Sequence, residues 1–308
     1  MIDPLAEVIT LLQPRAVFTR HISGAGRWGV RYSAFGHPSF CVALEGRCRL
    51  AIDGSPPLTL RAGDFVLLST TPAFTMSSLA APGTVRQFDP KVASTVTGEV
   101  RHGSHRGRPN VRLLGGWFAF DSADTSLLVS LLPPLVHLRD QERLSVLVGL
   151  VSEETSEARL GRDLILTRLV EVLLIEALRS APTAEAPPGL LRGLADERLA
   201  PAIRQMHSEI ALPRTVAQLA RAAALSRSAF FDRFTRTVGV PPMQYLLAWR
   251  MAVAKGLLRR GDLPVHEVAE RIGYGASTAF STAFRRYVGV SPRDYLAASA
   301  KRDDTREV

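Results

Sequence analysis

Four short hydroxylated side chains near the C-terminal end of the chain are spaced so that they could read the edges of nucleic-acid bases. They are Ser277, Thr278, Ser281 and Thr282, on one face of a predicted helix. On the other side, Phe280, Phe284 and Tyr287 follow the i, i+4, i+7 spacing of an apolar stripe. A face of small, uncharged polar residues can enter a groove without steric conflict, but a solvated helix surface has the same composition. The stretch alone leaves both interpretations open.

A second unit of the same kind lies 50 residues earlier. The offset is the same from Phe230 to Phe280 as from Gly239 to Gly289, and the closing sequences, Val-Gly-Val-Pro-Pro and Val-Gly-Val-Ser-Pro, are nearly identical. Such an internal repeat indicates two helix–turn–helix units. The patterns predict helices over 216–223, 227–238, 265–272 and 276–287, with a long helix over 243–260 between the units.

The repeat suits double-stranded DNA in both shape and charge. The major groove of B-DNA admits an α-helix, and two helices on a rigid connector can enter successive grooves about 34 Å apart. Residues 196–298 hold 15 Lys and Arg against 8 Asp and Glu, a balance of +7, whereas residues 1–180 hold 19 against 17, a balance of +2. Nearly all of the C-terminal positive charge is arginine, which suits contacts with phosphates and bases. The sequence therefore predicts double-stranded DNA as a partner.

Residues 196–298 resemble the DNA-binding domain of AraC/XylS-type transcription regulators. The resemblance is carried above all by the second unit, over Leu263–Tyr274 and Ala279–Tyr295. It implies a set of residues that read DNA bases, four in each unit. They are Arg227, Ser228, Phe231 and Asp232 in the first unit, and Ser277, Thr278, Ser281 and Thr282 in the second.

Two of these positions depart from the family pattern. Thr282 stands where the family often has arginine, and Asp232 where it often has a basic residue. Threonine can contact a thymine methyl group, and aspartate can accept a hydrogen bond from cytosine N4, although it also repels phosphates. An ion pair from Asp232 to Arg236, four residues on, is the alternative. Together with Arg285 and Arg286, Arg236 is better suited to bind phosphates than to read bases.

The first 140 residues have a different pattern, of short β-type runs separated by turn residues. Many short, closely spaced strands are typical of a sandwich or a barrel. Leu44–Leu50 and Leu60–Leu68 resemble a cupin barrel of the kind that serves as a sensor domain. The sequence predicts strands over 28–33, 39–44, 48–53, 58–60, 65–69, 84–88 and 111–120, with a hairpin turn at 45–46 and a mobile loop over 97–109.

Length and composition predict a two-domain α+β protein. A chain of 308 residues with 46% hydrophobic and 22% charged residues is ordinary globular material. No apolar run reaches the length of a membrane span and the N-terminus lacks the features of a signal peptide, so we expect a cytoplasmic protein without a membrane partner. The expected order is a cupin-like β-barrel over 1–140, a helical segment over 141–180, a linker over 181–195, an all-α domain with two helix–turn–helix units over 196–298, and a tail over 299–308.

The predicted helix over 161–179 bears on oligomeric state. It is apolar around most of its circumference and therefore needs more than one partner surface. One partner could be the barrel, and the other the same helix of a second subunit, which would give a homodimer through 161–179. Complete coverage within its own chain is equally compatible with the pattern. We expect the regulator to be an activator, which would also contact RNA polymerase.

An enzyme is the alternative function for the barrel. A metal-dependent cupin enzyme needs two or three histidines and a carboxylate that converge inside the barrel. No histidine lies beside the Ala62-Gly63-Asp64 turn in that pattern, so we expect no metal, no other cofactor and no catalytic residue.

Sensing is the expected function of the barrel. Cys41 and Cys48 are redox candidates, but across a hairpin at 45–46 they would lie on a diagonal of about 7 Å, which is poor geometry for a disulfide. Two half-buried strand cysteines are the favoured interpretation. The default expectation is a small organic effector of unknown identity in the barrel mouth, lined by Trp28, Tyr32 and Phe40.

Overall fold

Two compact units make up the chain, and the predicted two-domain α+β class is confirmed. One unit comprises Met1–Leu12, Ser122–Leu131 and Ala186–Val308, and the other comprises Gln13–Asp121 and Leu132–Glu185. We call the first the C-terminal unit and the second the barrel unit. Within the described residues, no helix is both long and apolar enough to cross a bilayer. The computed structural model describes residues 3–12, 14–80, 84–88, 98–120, 129, 132–157, 159–181 and 188–304.

The barrel unit is built on a curled sheet, a cupin half-barrel. Its strands in the described part of the chain are β1 Pro14–Ala25, β2 Gly29–Tyr32, β3 Ser39–Ile52, β4 Leu58–Arg61, β5 Phe65–Leu68, β6 Phe74–Ser77, β7 Arg86–Phe88, β8 Val100–Gly103, β9 Val111–Phe120 and β10 Leu135–Leu138. Neighbouring strands follow the order β7-β2-β6-β3-β9-β1-β8, while β4 and β5 also pair with β3, and β10 pairs with β5. The β1–β8 and β2–β7 pairs are parallel, and the remaining pairs are antiparallel.

Strand β3 replaces the hairpin predicted at 45–46, and that prediction is wrong. The pairing of β3 with β9 shifts register between Ala43 and Glu45, which is a bulge. Gly46 continues the strand at a φ of +75°, and a Cβ atom at this position would collide with the carbonyl oxygen of Asn110. The glycine therefore bends one long strand instead of ending two short ones, so that β3 pairs with β5 before the bend and with β4 and β6 after it.

Four strands have no counterpart in the prediction: β1, β6, β8 and β10. Strand β8 lies inside the segment 97–109, which was predicted to be a mobile loop. It forms because Val100 pairs in parallel with Ile22 of β1, far away in the sequence. A polar four-residue strand stabilised by a distant partner carries no local signal of its own.

Two helices pack against one another and against the barrel sheet, close to the predicted ranges. Helix α2 spans Glu142–Ser156 and helix α3 spans Arg162–Arg179. They run antiparallel, as shown by an ion pair of 3.0 Å between Arg143 at the start of α2 and Glu176 near the end of α3. The buried face of α3 packs against α2, β1 and β10, and consists of Leu166, Val170, Leu173, Leu174, Ala177 and Leu178.

The C-terminal unit is helical, and both predicted helix–turn–helix units are confirmed. Its helices are α1 Pro4–Leu12, α4 Leu190–Ala195, α5 Leu199–Ser208, α6 Val216–Ala222, α7 Arg227–Val238, α8 Pro242–Arg260, α9 Val265–Arg271, α10 Ser277–Val288 and α11 Pro292–Asp304. The units are α6–α7 and α9–α10, and α8 joins them. Within the predicted linker, Leu190 and Leu191 are buried in α4, which packs against α5 and α7. Residues 182–187 lie outside the described residues, and the exact domain boundaries stay predictions.

Helix α1, at the start of the chain, packs in the C-terminal unit. Its apolar residues Leu5, Val8 and Ile9 are at most 7% exposed, and the helix contacts α5 and α8. Its last turn approaches α8 so closely that a Cβ atom at Gly256 would lie 3.1 Å from Leu11. Helices α5 and α8 therefore share a core with residues from the opposite end of the sequence.

A buried histidine fixes the position of α1. His207 of α5 contacts Glu7 through Nδ1 at 2.8 Å and the hydroxyl of Tyr245 through Nε2 at 2.7 Å, and its ring stacks on Trp249 at 4.0 Å. Burial lowers the pKa of His207, and Glu7 opposes this effect. A neutral ring that donates from Nδ1 to the Glu7 carboxylate and accepts from Tyr245 satisfies all three groups.

Replacing Ile9 by alanine is expected to loosen the C-terminal unit. Loss of a fully buried isoleucine costs about 2–5 kcal/mol, so backbone amides of α5 and α8 should exchange faster in hydrogen–deuterium exchange mass spectrometry. The exposed neighbour Thr10, replaced by alanine, is the control and should leave exchange unchanged. Faster exchange in β1 and β9 with no change in α5 and α8 would contradict the placement of α1.

Candidate DNA interface and sensor cavity

Helix α7 carries one of the two predicted reading faces. Arg227, Ser228, Phe231 and Asp232 are all exposed, and Phe231 is 42% exposed, which is unusual for an aromatic residue on a capped, well-packed helix. The opposite side of α7 is buried through residues that include Phe230 and Phe234. The exposed face is thus free to contact a partner while the buried face holds the helix in place.

Helix α10 carries the second predicted reading face. Ser277, Thr278 and Thr282 are exposed and Ser281 is half-buried. The hydroxyl of Thr282 donates to the carbonyl oxygen of Thr278 at 3.0 Å within the helix. Because the Thr282 hydroxyl already donates within the helix, the methyl group is the part of this side chain that remains for a contact with DNA. A methyl group suits a thymine methyl better than the hydrogen-bonding edge of a base.

The turns before the two reading helices have the same backbone form. Ala224 in the first unit and Gly273 in the second are both left-handed, at φ values of +51° and +86°. The residue after each turn donates to the carbonyl of a residue five positions earlier: Leu225 to Ala220 at 3.0 Å, and Tyr274 to Ala269 at 2.9 Å. The repeat recognised in the sequence is therefore also a structural repeat.

The helix starts differ between the units. Thr215 forms a capping box with Gln218 at the start of α6, and Ser226 accepts a hydrogen bond from the backbone N–H of Ala229 at the start of α7. Helices α9 and α10 have no side-chain cap. The start of α10 thus leaves backbone N–H groups exposed, which is the usual way in which a helix end meets a phosphate.

Arginines flank the reading faces. Arg236, Arg285 and Arg286 are exposed near the C-terminal ends of α7 and α10, as phosphate contacts require. The structure shows no ion pair between Asp232 and Arg236. Arg233, next to Asp232 in the chain, donates instead from Nε to the carboxylate of Asp196 at 2.8 Å. Asp232 therefore stands on the exposed face as an uncompensated carboxylate among the described residues.

An aromatic cavity of about 90 Å³ lies within the barrel unit. Of the residues proposed to line the effector site, Tyr32 and Phe40 line this cavity, and Trp28 lines a neighbouring pocket. Cys41 also lines the cavity. The sequence did not indicate the other lining residues, because most of them are brought together by strand pairing between distant parts of the chain. They are Arg20, Ile22, Phe35, Ser39, Leu50, Val66, Leu68, Phe74, Met76, Phe88, Val100, Gly115, Gly116 and Trp117.

Stacked rings shape one wall of this cavity. Tyr32 stacks on Phe74 at 4.7 Å and meets Phe88 edge-on at 5.4 Å. The Tyr32 hydroxyl is bonded to Nε2 of His102 at 3.0 Å, so the polar end of this tyrosine is satisfied outside the cavity. What remains inside is an almost wholly apolar space, suited to a small apolar or aromatic molecule.

Both cysteines are free thiols on β3. Cys48 is buried, and Cys41 is half-buried at the cavity. Burial raises the pKa of both thiols, to about 12 for Cys48. A thiol with a raised pKa is a poor nucleophile, which argues against rapid oxidation in this conformation, and the redox role stays a prediction.

Three histidines of the barrel unit form hydrogen bonds with other side chains. His21 bonds Ser152 at 2.8 Å, His137 bonds Asp64 at 3.2 Å, and His102 bonds Tyr32. No group of three or more His, Cys, Asp or Glu side chains in the described part of the chain is placed to hold a metal ion.

Comparison with known proteins connects both units to one family. The family described as Cupin matches residues 3–182, and the one described as Helix-turn-helix domain matches residues 219–298. AraC-like transcription regulators of Streptomyces lividans and Streptomyces antibioticus are 34% and 35% identical, over 95% of this chain and 97% and 98% of their own lengths. The transcriptional activator RclR of Escherichia coli, named as specific for RCS, is 25% identical over 95% of this chain and 96% of its own length. The chain belongs to the AraC-like transcription regulators in which a cupin domain precedes a helix–turn–helix DNA-binding domain.

Proposed function

We propose that the protein is an effector-responsive activator that reads two segments of DNA with α7 and α10. The observation that carries the proposal is the pair of exposed faces on helices of equivalent backbone form, each anchored by buried phenylalanines and flanked by exposed arginines. The base-reading set remains the one implied by the sequence: Arg227, Ser228, Phe231, Asp232, Ser277, Thr278, Ser281 and Thr282. The phosphate set remains Arg236, Arg285 and Arg286.

We propose different modes of reading for the two helices. On α7, Arg227 offers a guanidinium for guanine, Phe231 a ring for thymine methyl groups, and Asp232 an acceptor for cytosine N4. On α10 the side chains are short and uncharged, so discrimination depends on close fit and on methyl contacts. A face without arginine gives modest affinity per site, and phosphate contacts and a second subunit make up the difference.

We propose that the aromatic cavity receives the effector. Its apolar lining favours a small aromatic or aliphatic compound, and Cys41 at its edge marks where a ligand would touch β3.

The similarity of nearly the whole chain to a protein named as an activator supports the activating role, and an activator would contact RNA polymerase. This function places the protein in the cytoplasm, where DNA is, and we propose no enzymatic activity for it.

We propose a homodimer through α3, with part of α2. Ile165 and Val172 lie seven residues apart on one exposed side of α3, at 44% and 47% exposure, and Val146 and Leu150 are exposed on the antiparallel α2 at 61% and 45%. Apolar rows of this kind are typical of helix–helix contacts between subunits.

Substitutions on α10 should separate base reading from phosphate binding. Replacing Thr282 by alanine is expected to lower affinity for selected DNA sites by about 1 kcal/mol, whereas replacing it by arginine should create a preference for guanine at one position. Replacing Arg285 by glutamine should weaken binding to every sequence alike and reduce the salt slope by about 1. The measurements are site selection with the full chain and fluorescence anisotropy over a range of salt concentrations.

Arg49, exposed on β3, is the matched control for the loss of one arginine and should leave both quantities unchanged when replaced by glutamine. The reading assigned to Thr282 is wrong if the natural chain already selects guanine there as strongly as the arginine variant. Absence of any DNA binding at low salt would overturn the proposed function itself.

Filling the cavity should uncouple sensing from DNA binding. Toluene, a small apolar probe, is expected to raise the thermal midpoint of the natural protein, and Cys41→Phe should abolish this effect by occupying the space. The variant should still bind its selected DNA site. Cys48→Ala changes a buried thiol that does not line the cavity and should keep the response to toluene; an equal loss in both variants would contradict the cavity as the site.

A charge on α3 should dissociate the dimer. Val172→Glu places a carboxylate in the proposed apolar interface, where its desolvation is unfavourable, so the sedimentation coefficient should fall from that of a dimer to that of a monomer. Arg49→Glu, which introduces the same acidic side chain at an exposed position of β3 outside the proposed interface, is the control. A natural chain that sediments as a monomer at all concentrations tested would rule out this interface.

A further inference from the structure

A second pocket of about 320 Å³ lies beside the aromatic cavity in the barrel unit. Three arginines from three separate segments line it: Arg27 before β2, Arg86 on β7 and Arg101 on β8. No described Asp or Glu is among its lining residues. The proposed effector site, which is apolar, makes no use of this concentration of positive charge.

The arginine pocket and the aromatic cavity lie on the same face of the sheet, two residues apart along β2 and β7. Strands β2 and β7 run parallel, with Val30 beside Arg86 and Tyr32 beside Phe88. The first of these pairs lines the arginine pocket and the second lines the cavity. Because residues two apart on a strand share a face, the pocket is set by the register of the sheet and is not an accident of loop shape.

The pocket has a rigid floor. Trp28 and His102, which are 3% and 8% exposed, lie with their rings 5.9 Å apart and nearly parallel. A Cβ atom at Gly24 would collide with the Trp28 ring, so this glycine lets the ring lie directly on the backbone of β1. The hydrogen bond between His102 and Tyr32 joins this floor to the wall of the aromatic cavity.

The arginines are partly positioned in advance. Arg101 donates from Nε to the carbonyl of Ser104 at 3.0 Å and from a terminal nitrogen to that of Gly107. Arg86 makes no hydrogen bond or ion pair within the described part of the chain, and its charge reaches the floor: after burial, it is the second cause that lowers the pKa of His102 to about 4. Arg86 and Arg101 thus bring positive charge to a pocket whose described lining residues include no Asp or Glu.

We propose that this pocket binds the phosphate or carboxylate group of a small molecule, at a site distinct from the aromatic cavity. The planar guanidinium group matches both oxyanions with two parallel hydrogen bonds. A concave pocket with an aromatic floor favours a small ligand over a nucleic-acid backbone, which would require an open, extended basic surface. The shared Tyr32–His102 hydrogen bond gives the two sites a direct physical connection.

Titration calorimetry on the full chain without DNA tests this site. Sodium phosphate and sodium acetate are the two probes, each at constant ionic strength maintained with chloride, and the tighter one identifies the oxyanion class. We expect saturable binding of at least one probe, at least tenfold weaker in Arg86→Gln and in Arg101→Gln. Arg49→Gln removes an exposed arginine that lines neither pocket and should bind as the natural chain does.

Arg86→Lys controls for misfolding of the Arg86→Gln variant. It keeps the positive charge but loses the planar set of N–H donors of the guanidinium group. Its affinity should lie between those of the natural chain and Arg86→Gln. The proposal is overturned if neither anion binds saturably, or if Arg49→Gln loses as much affinity as Arg86→Gln. DNA binding measured on the same variants is independent of this result, so the site can fail while the proposed function stands.

Discussion

Helices α7 and α10, which we propose read DNA, both depend on helix α8, which contributes side chains to two separate cores. Near its start, Tyr245 meets Phe234 of α7 edge-on at 5.7 Å. Farther along, Leu258 lies in the core that holds Phe280 of α10. At 1.5 Å per residue, a helix of 19 residues is about 28 Å long. Because each reading helix is attached to a different part of one rigid rod, the separation of the two exposed faces is set by α8 and not by a flexible connection.

The same helix also contacts the first helix of the chain. Trp249 and Tyr245 of α8 surround His207, whose remaining nitrogen meets Glu7 of α1. The cupin match spans residues 3–182 and so includes α1, yet α1 packs in the C-terminal unit. The nine residues of α1 therefore belong to the cupin domain by sequence similarity but to the C-terminal unit by packing. Similarity reflects common descent, whereas packing reflects the surface that a segment buries.

The accuracy of sequence reasoning follows how local the stabilising interactions are. Helices α6 to α10 could be predicted to within a residue or two because caps such as Ser226, apolar stripes and terminal glycines all act within one or two turns. In the barrel, β8 depends on β1 and has no signal in its own residues, and Gly46 alone does not show whether β3 ends or bends, because this depends on pairing with β9. For the same reason the sequence did not indicate Trp117 of β9, which comes to line the aromatic cavity with Tyr32 and Phe40 only through strand pairing, while Trp28 lines the neighbouring pocket.

The two proposed reading faces differ in the size and charge of their side chains, so they would contribute differently to the affinity and the specificity of DNA binding. Arg227, Phe231 and Asp232 are large or charged, so each gains strong contacts only after it loses water and rotamer freedom. The Ser and Thr side chains of α10 lose little of either, and they allow the helix backbone to come close to base edges. A mismatch at α7 therefore leaves a charged group unpaired, whereas a mismatch at α10 removes a methyl contact. On these grounds α7 would reject wrong sequences more strongly, while α10, with an uncapped start and two arginines at its end, would hold the protein on the DNA with less regard to sequence.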